Sequence, residues 1–138
     1  LAVLDLPEGN AMRAPGEVED RVAHGDEIPV EEWQRLASPI WTDIDPNDTL
    51  QYRSARENED ERHICPLQLE VIRRGIRLWT KPGDVVLTPF AGIGSEVFVA
   101  CELGRRGVGV ELKGSYYEQA AKNMAMLTAQ GGLFEAVA

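Results

Sequence analysis

Cysteine, long apolar runs and a surplus of positive charge are all scarce in this sequence of 138 residues. Its two cysteines, Cys65 and Cys101, lie far apart and form no CxxC pair, which argues against a disulfide framework or a cysteine-based metal site. No stretch approaches the length of a membrane span, and the first residues do not resemble a secretion signal. We therefore expect a reduced, cytoplasmic protein without a membrane partner, long enough to bury one core without cross-links.

The net charge of −9 is unevenly distributed along the chain. Residues 1–62 carry 16 acidic and 6 basic side chains, a net of −10, whereas residues 63–138 carry 7 and 8, a net of +1. A negative segment repels phosphates, so residues 1–62 are not expected to contact DNA extensively. We interpret residues 1–62 as an acidic, loop-rich segment with one short helix, and residues 63–138 as a separate subdomain.

The acidic segment contains only short structural signals. "LAVLDLP" predicts a brief strand, and the Gly, Pro and acid-rich stretch after it predicts a loop or partial disorder. Val30, Trp33 and Leu36 recur at helical spacing between Pro29 and Pro39, which predicts one short helix. "DPND" predicts a turn.

Residues 63–138 alternate between helical and strand patterns. A helix is predicted to begin at Pro66 and to end at "TKPGD"; its periodic residues are Leu67, Val71, Ile72, Ile76 and Trp79. "DVVL" predicts a strand, Ser95 to Leu103 a helix, and "GRRGVGVEL" a second buried strand. A closing helix is expected to start with Ser115 as its N-cap and to stop at Gly131 and Gly132.

The stretch "TPFAGIGSEV" joins the first of these strands to the following helix. A strand, a glycine turn, a helix and a second strand form a βαβ unit with parallel strands. Gly92 and Gly94 let a ligand approach the backbone, and Glu111 ends the second strand, where its carboxylate would reach two ribose hydroxyls. The alternative is a tight turn with two incidental glycines, but the combined pattern favours a nucleoside site.

We call the turn that contains Gly92 and Gly94 the glycine bend. The residues after it distinguish between possible nucleoside ligands. A dinucleotide site requires a small residue at the position of Val97, where the helix meets the pyrophosphate. Glu96, in the first turn of that helix, would also repel a pyrophosphate. S-adenosylmethionine, which has no phosphate and carries a cationic sulfur, suits this pocket better.

The segment "TPFAGIGSEVFVACELGRRGVGVELKGSYYEQAAKN" resembles the cofactor motif of DNA methyltransferases that modify adenine N6 or cytosine N4. Pro89 and Tyr116 or Tyr117 fall on positions of that motif, and Thr88 stands where the family usually has aspartate. The resemblance implies a partial Rossmann-like methyltransferase fold, α/β in class, with three layers and parallel strands. It implies that S-adenosylmethionine is bound by Thr88, Phe90, Ala91, Gly92, Ile93, Gly94, Ser95, Glu111 and Leu112.

Upstream, "HICPLQLEVIRRGI" resembles the helix-start motif that permuted members of this family place before the glycine bend. By resemblance, His63 and Cys65 would lie near the methionine carboxylate of the cofactor; a surface or capping role for His63 stays open. Only 27 residues follow Glu111, too few for a catalytic motif after the cofactor strands. The permuted order, with the catalytic half first, is therefore expected.

Methyl transfer to an exocyclic amine requires, in this family, a D/N/S-P-P-Y/W/F loop that binds the flipped base. The sequence contains no such tetrapeptide, so no catalytic residue is assigned and we expect this chain alone to be inactive. The few strands cannot complete the family's sheet. We expect that the chain is part of a longer enzyme that acts on DNA, or that a second copy or another subunit completes its sheet.

Several weaker signals remain. Arg73, Arg74, Arg77, Arg105 and Arg106 could contact phosphates or serve solubility, and the three tryptophans are predicted to pack rather than to stack on bases. "QGGLF", Gln130 to Phe134, resembles the peptide by which bacterial replication proteins dock on the sliding clamp. The alternative function is therefore a non-catalytic nucleotide-binding or interaction module that docks on replication proteins.

Overall fold

The computed structural model describes residues 2–5, 28–55 and 65–135. These residues form three strands and four α-helices, with a 3-10 turn at Arg53–Ala55. In chain order the elements are β1 (Ala2–Asp5), α1 (Val30–Leu36), α2 (Leu69–Trp79), β2 (Val85–Thr88), α3 (Ser95–Glu102), β3 (Arg106–Glu111) and α4 (Gly114–Glu135). The predicted strand–helix–strand order is confirmed. The loop predicted before Pro29 lies mostly outside the described residues.

The three strands form one sheet in the order β1-β3-β2. β2 and β3 run parallel, with Val86 opposite Gly107 and Thr88 opposite Gly109, as the βαβ pattern predicts. β1 is antiparallel to β3, and Ala2 lies opposite Glu111. The expectation of parallel strands is therefore corrected to a mixed sheet. A right-handed crossover fixes the direction of β2 relative to β3, but β1 lies outside that unit and no crossover constrains it.

Helix α3 packs directly on one face of this sheet because two glycines in β3 leave room for it. A Cβ added at Gly107 would lie 2.8 Å from the Val97 carbonyl oxygen, and one at Gly109 would lie 2.8 Å from the Cβ of Ala91. On the other face, Val85 is 60% exposed and Leu87 is 65% exposed. The α/β class and the small, incomplete sheet are confirmed.

The main core lies between α2, α3 and residues 50–55. Its buried members are Leu50, Ala55, Leu69, Ile72, Ile76, Ile93, Val99 and Ala100. Ile72 and Ile76 are one helical turn apart, which explains why α2 turns a continuous apolar face towards α3. Residues 50–55 thus share a core with the second half of the chain. The boundary at residue 62 stays a prediction.

Helix α2 begins at Leu69, three residues later than predicted from Pro66. Gln68 has an extended backbone, and the Leu69 N–H donates a 2.7 Å hydrogen bond to the Asp48 carbonyl. The acidic segment therefore satisfies a free donor at the helix start, which local sequence could not indicate. Leu67, predicted on the apolar face, lies before the helix and is 47% exposed.

Both predicted ends of α4 are wrong. The helix begins at Gly114, so Ser115 lies inside the first turn rather than at the N-cap, and its buried hydroxyl has no partner among the described residues. The helix also continues through Gly131 and Gly132 to Glu135. A glycine costs only about 1 kcal/mol in a helix relative to alanine, so a pair of them does not force an end. None of the described helices is long and apolar enough to cross a membrane.

The tryptophans are more exposed than their spacing predicts. Trp79 is 86% exposed and Trp33 is 53% exposed. Trp41 does pack, because its Nε1–H donates to the Leu36 carbonyl at 3.1 Å and the guanidinium of Arg74 lies 5.3 Å from its ring centroid. The expectation of packing roles is thus wrong for Trp79, which ends α2 with no described element over it.

Arg74 joins residues 41–43 to helix α2. Its guanidinium donates a fork of 2.8 and 2.9 Å hydrogen bonds to the Asp43 carboxylate, and its Nε donates to Glu70 at 2.9 Å. Hydrogen bonding from Arg74 lowers the pKa of Asp43, and the same contacts raise the pKa of Arg74. Arg73 and Arg77 also pair with carboxylates, Glu102 and Glu32 respectively. These three arginines therefore have structural partners in this chain.

Arg74→Met should lower the free energy of unfolding by about 2–3 kcal/mol, measured by urea denaturation. Methionine keeps the aliphatic packing of a side chain that is only 3% exposed but removes every hydrogen bond. The loss stays below that of a fully buried pair because the Asp43 side chain is 57% exposed and water can hydrate it.

Arg35→Met is the matched control, since Arg35 is 54% exposed and meets Glu32 only at 4.0 Å. It should change stability by less than about 0.5 kcal/mol. Equal losses in the two variants would show that Arg74 contributes no more than a surface arginine.

Candidate nucleoside-binding site

The glycine bend is a tight turn anchored to the sheet. The Ala91 N–H donates to the Val110 carbonyl at 2.9 Å, and the Gly94 N–H closes the turn on the Ala91 carbonyl at 2.7 Å. Gly92 and Gly94 have φ values of +54° and +87°, a region that side chains with a Cβ rarely adopt. A Cβ at Gly94 would also lie 3.1 Å from the Cβ of Ala120 in α4. These two glycines are required by the turn rather than incidental.

Glu111 lies directly against this bend. Its Oε2 accepts a 2.7 Å hydrogen bond from the Gly92 N–H, and its Oε1 accepts from the Leu112 and Lys113 N–H groups at 3.0 and 2.8 Å. The structure therefore brings into contact the acid and the glycine, which are 19 positions apart in the chain. Each carboxylate oxygen offers about two lone pairs, so Oε2 keeps one for a further donor.

The remaining predicted residues divide into exposed and buried positions. Phe90 is 85% exposed and Leu112 is 82% exposed, so both side chains are accessible to a ligand. Ala91, Ile93 and Ser95 are buried at 2%, 5% and 5% exposure. These three support the bend, and only their backbone is available to a ligand. Thr88 is half-buried at the end of β2, and its Oγ1 accepts a 3.4 Å hydrogen bond from the Phe90 N–H.

Glu96 adds a second carboxylate close to the bend, in the first turn of α3. Burial raises the pKa of Glu96 above its usual range, an effect that a hydrogen bond from its own N–H opposes. No described residue forms an ion pair with it. A negative group at this helix end disfavours a pyrophosphate there, as the sequence indicates.

The two upstream predictions have different outcomes. Cys65 is exposed and lies just before the amino end of α2. His63 lies outside the described residues. Of the two aromatic candidates in α4, Tyr117 packs on Ala91 and Ala120. Tyr116 contacts the main core, and the Lys113 ammonium lies 4.5 Å from the centroid of its ring.

A buried amide network behind the bend was missed by sequence reasoning. The Asn123 Nδ2 donates to the Ile93 carbonyl at 3.0 Å and to the Gln51 carbonyl at 3.3 Å, and the Asn123 Oδ1 accepts from Gln119 Nε2 at 3.0 Å. Ser54 donates in turn to Gln119. The only sequence signal is a pair of amides four residues apart on the face of α4 that also carries Ala120 and Met124.

The sequence model of the DNA methylase family, N6/N4 type, matches residues 7–122. That range contains the bend, Glu111 and the first nine residues of α4. The chain belongs to the N6/N4 DNA methylase family. The predicted family is thus confirmed.

Relatives and solved structures agree with this assignment. The chain is 30% identical over 125 residues to the type II methyltransferase M1.MboII of Moraxella bovis, covering 79% of this chain and 45% of that protein. It is 36% identical over 75 residues to M.BglII of Bacillus subtilis, covering 53% and 21%. The crystal structure of TTHA0409, a putative DNA modification methylase of Thermus thermophilus complexed with S-adenosyl-L-methionine, matches with a TM-score of 0.56 at 30% identity.

The chain spans less than half the length of these relatives. Its match to TTHA0409 covers 86% of this chain but 40% of that one. The fold it shares is therefore that of part of a DNA methylase. The uncovered sheet face of Val85 and Leu87 is consistent with a fold that continues in the longer relatives.

Proposed function

We propose that this chain binds S-adenosylmethionine for a DNA methyltransferase that methylates adenine N6 or cytosine N4. The observation that carries the proposal is the contact of Glu111 with the Gly92 N–H, at the carboxyl ends of two parallel strands in a member of this family. In open α/β sheets ligands bind in the crevice at that edge.

The residues around Glu111 fit the parts of this cofactor. A ribose hydroxyl would donate to the free lone pair of Oε2; a second hydroxyl would have to replace the 3.0 Å bond from the Leu112 N–H. The exposed side chains of Phe90 and Leu112 would cover the faces of the adenine ring. The sulfonium end would lie against the bend, near Thr88, Gly92 and Gly94. The methionine carboxylate would lie towards His63 and Cys65.

When bound, S-adenosylmethionine supplies an electrophilic methyl group to the target amine. The residues of this chain orient the cofactor and exclude water from it. They do not include the proline-rich loop that would hold the base, since no D/N/S-P-P-Y/W/F tetrapeptide occurs in the sequence. We therefore propose that the chain alone binds the cofactor weakly and transfers no methyl group, even in the presence of DNA.

The uncovered part of the sheet supports a role for a complementary half. Among the described strands β2 lies at an edge of the sheet, and its Val85 and Leu87 are exposed. An open edge and an apolar face are the features by which a sheet accepts further strands and a helical layer. We propose that the catalytic half, in a longer chain, a second copy or another subunit, completes the fold there and brings the DNA.

Glu111→Gln should weaken binding of S-adenosylhomocysteine at least about tenfold, because a charge-assisted hydrogen bond to the ribose is lost. Glu118→Gln is the matched control: it removes an exposed carboxylate from α4 and should leave the affinity unchanged. Titration calorimetry of both variants gives the dissociation constants.

The same calorimetry should include NAD and ATP with the parent protein. A preference for either phosphate-bearing ligand would contradict the proposal and favour a general nucleotide-binding module. The alternative of clamp docking through Gln130 to Phe134 stays a prediction; these residues belong to the last turns of α4.

A further inference from the structure

The buried amide network behind the glycine bend has a fixed direction. The Ile93 carbonyl can only accept, so Asn123 must turn its Nδ2 towards it, at 3.0 Å, and its Oδ1 towards Gln119. Gln119 then has to donate through Nε2, also at 3.0 Å, which leaves its Oε1 to accept from the Ser54 hydroxyl. One carbonyl of the bend therefore fixes the orientation of all three side chains.

The network is buried at one end and reaches the surface at the other. Asn123 is fully buried and Gln119 is 4% exposed, so neither amide can exchange its partner for water. Ser54 is exposed and lies in the 3-10 turn at Arg53–Ala55. In an interior of low dielectric constant each hydrogen bond polarises the next, so the bond to Ile93 depends on the bonds before it. The surface turn is thereby connected to the bend.

The Ile93 carbonyl is the point at which this network acts on the bend. The Phe98 N–H donates to the Gly94 carbonyl at 2.8 Å, so helical hydrogen bonding reaches back to Gly94, whereas the Ile93 carbonyl is held by a side chain. The Ile93 carbonyl and the Gly94 N–H belong to one planar peptide group, so fixing the first also fixes the second. That N–H closes the turn on the Ala91 carbonyl at 2.7 Å. The network therefore orients the peptide that closes the glycine bend.

We propose that Gln119 and Ser54 are positioning residues for cofactor binding, which act on the bend through Asn123. The inference rests on the proposed function, since the ligand whose affinity they set is S-adenosylmethionine. It requires no contact of either residue with the cofactor, because they act by keeping the bend closed with the Gly92 N–H directed at Glu111. The exposed turn of the acidic segment thus contributes to the affinity of a site in the second half of the chain.

Ser54→Ala tests the outer end of the network, where the loss of one exposed hydroxyl should leave the fold intact. It should weaken S-adenosylhomocysteine about threefold in titration calorimetry, because the network loses its first donor. Ser54→Thr keeps a hydroxyl and should restore the affinity of the parent. Ser38→Ala is the control: it removes another exposed hydroxyl, which donates to the Ile40 carbonyl at 2.8 Å, and should leave the affinity unchanged.

Gln119→Met tests whether Ser54 acts only through the network. Methionine keeps the length of the side chain but removes the middle of the network, and it should weaken the same ligand about tenfold. Adding Ser54→Ala to Gln119→Met should then weaken binding no further, and independent, additive losses in the double variant would overturn the inference. Affinities are compared where thermal unfolding shows each variant to be folded, since a residue that only stabilises the fold would leave the affinity of folded molecules unchanged.

The backbone amide signals of Gly92 and Gly94 give a readout that needs no ligand. In a proton–nitrogen correlation spectrum both signals should move in Ser54→Ala and in Gln119→Met, and neither should move in Ser38→Ala. If the parent binds S-adenosylhomocysteine but Ser54→Ala shows parental affinity and unmoved glycine signals, the positioning role is wrong while the cofactor assignment stands. If the parent does not bind this ligand, the proposed function is wrong and the role in affinity falls with it, whether or not the signals move.

Discussion

Gly107→Ala should lower the free energy of unfolding by about 3 kcal/mol or more, because overpacking against a rigid backbone cannot be relieved by side-chain rotation. The added Cβ would lie 2.8 Å from the Val97 carbonyl oxygen and 2.9 Å from the Val97 Cα. Val97 is fully buried between α3 and the sheet, so the helix would have to move. A small domain is stable by about 5–15 kcal/mol, so the loss is a large fraction of the total.

Gly75→Ala is the matched control, and it should change stability in the opposite direction. No atom lies within 4 Å of a Cβ added at Gly75 in the interior of α2, so the substitution should stabilise the helix by about 0.5–1 kcal/mol. Urea denaturation of both variants measures the difference. A Gly107→Ala protein as stable as the parent would mean that α3 does not pack on β3 as closely as described.

Asn123→Ala should cost about 3 kcal/mol, and it should also weaken S-adenosylhomocysteine binding. Asn123 is fully buried, so alanine leaves the Ile93 carbonyl without its donor and creates a cavity beside it. Because the same amide nitrogen also donates to the Gln51 carbonyl at 3.3 Å, alanine removes the side chain that connects Gln51 to the bend. Urea denaturation gives the stability, and calorimetry gives the affinity.

Two further variants test this explanation. Asn123→Asp keeps the shape but replaces the donor by an oxygen facing two carbonyls, so it should destabilise at least as much as alanine. Lys122→Ala changes the exposed neighbour on α4 and should stay within about 0.5 kcal/mol of the parent. If Asn123→Asp retained parental stability, the donor role of this amide would be refuted.

Much of the fold was predictable because its signals are local. The apolar run "DVVL", the glycine bend and "GVGVE" lie close together in the chain, and the crossover rule fixes their strands as parallel. The contact of Glu111 with Gly92 follows from this arrangement. Helix ends were less predictable, since the start of α2 at Leu69 depends on a carbonyl of Asp48 supplied from another segment.

The residues missed at the site share one property, which is distance along the chain. Asn123 and Gln51 are 72 positions apart, and Ser54 and Gln119 are 65 apart. Composition assigned residues 1–62 to an acidic, solvated segment, and nothing in the local pattern of residues 46–55 contradicts that. Leu50 and Ala55 are buried only because they pack in a core with α2 and α3, which come later in the chain.

The sequence by itself determined the family, the βαβ unit and the glycine bend, because each depends on residue types at fixed short spacings. Only the tertiary structure decided that β1 is antiparallel and that Arg74 and Asn123 attach residues 41–55 to the helices. Hydrogen bonds and ion pairs between distant residues have no period and no preferred spacing. They form only when the packed helices bring their donors and acceptors together.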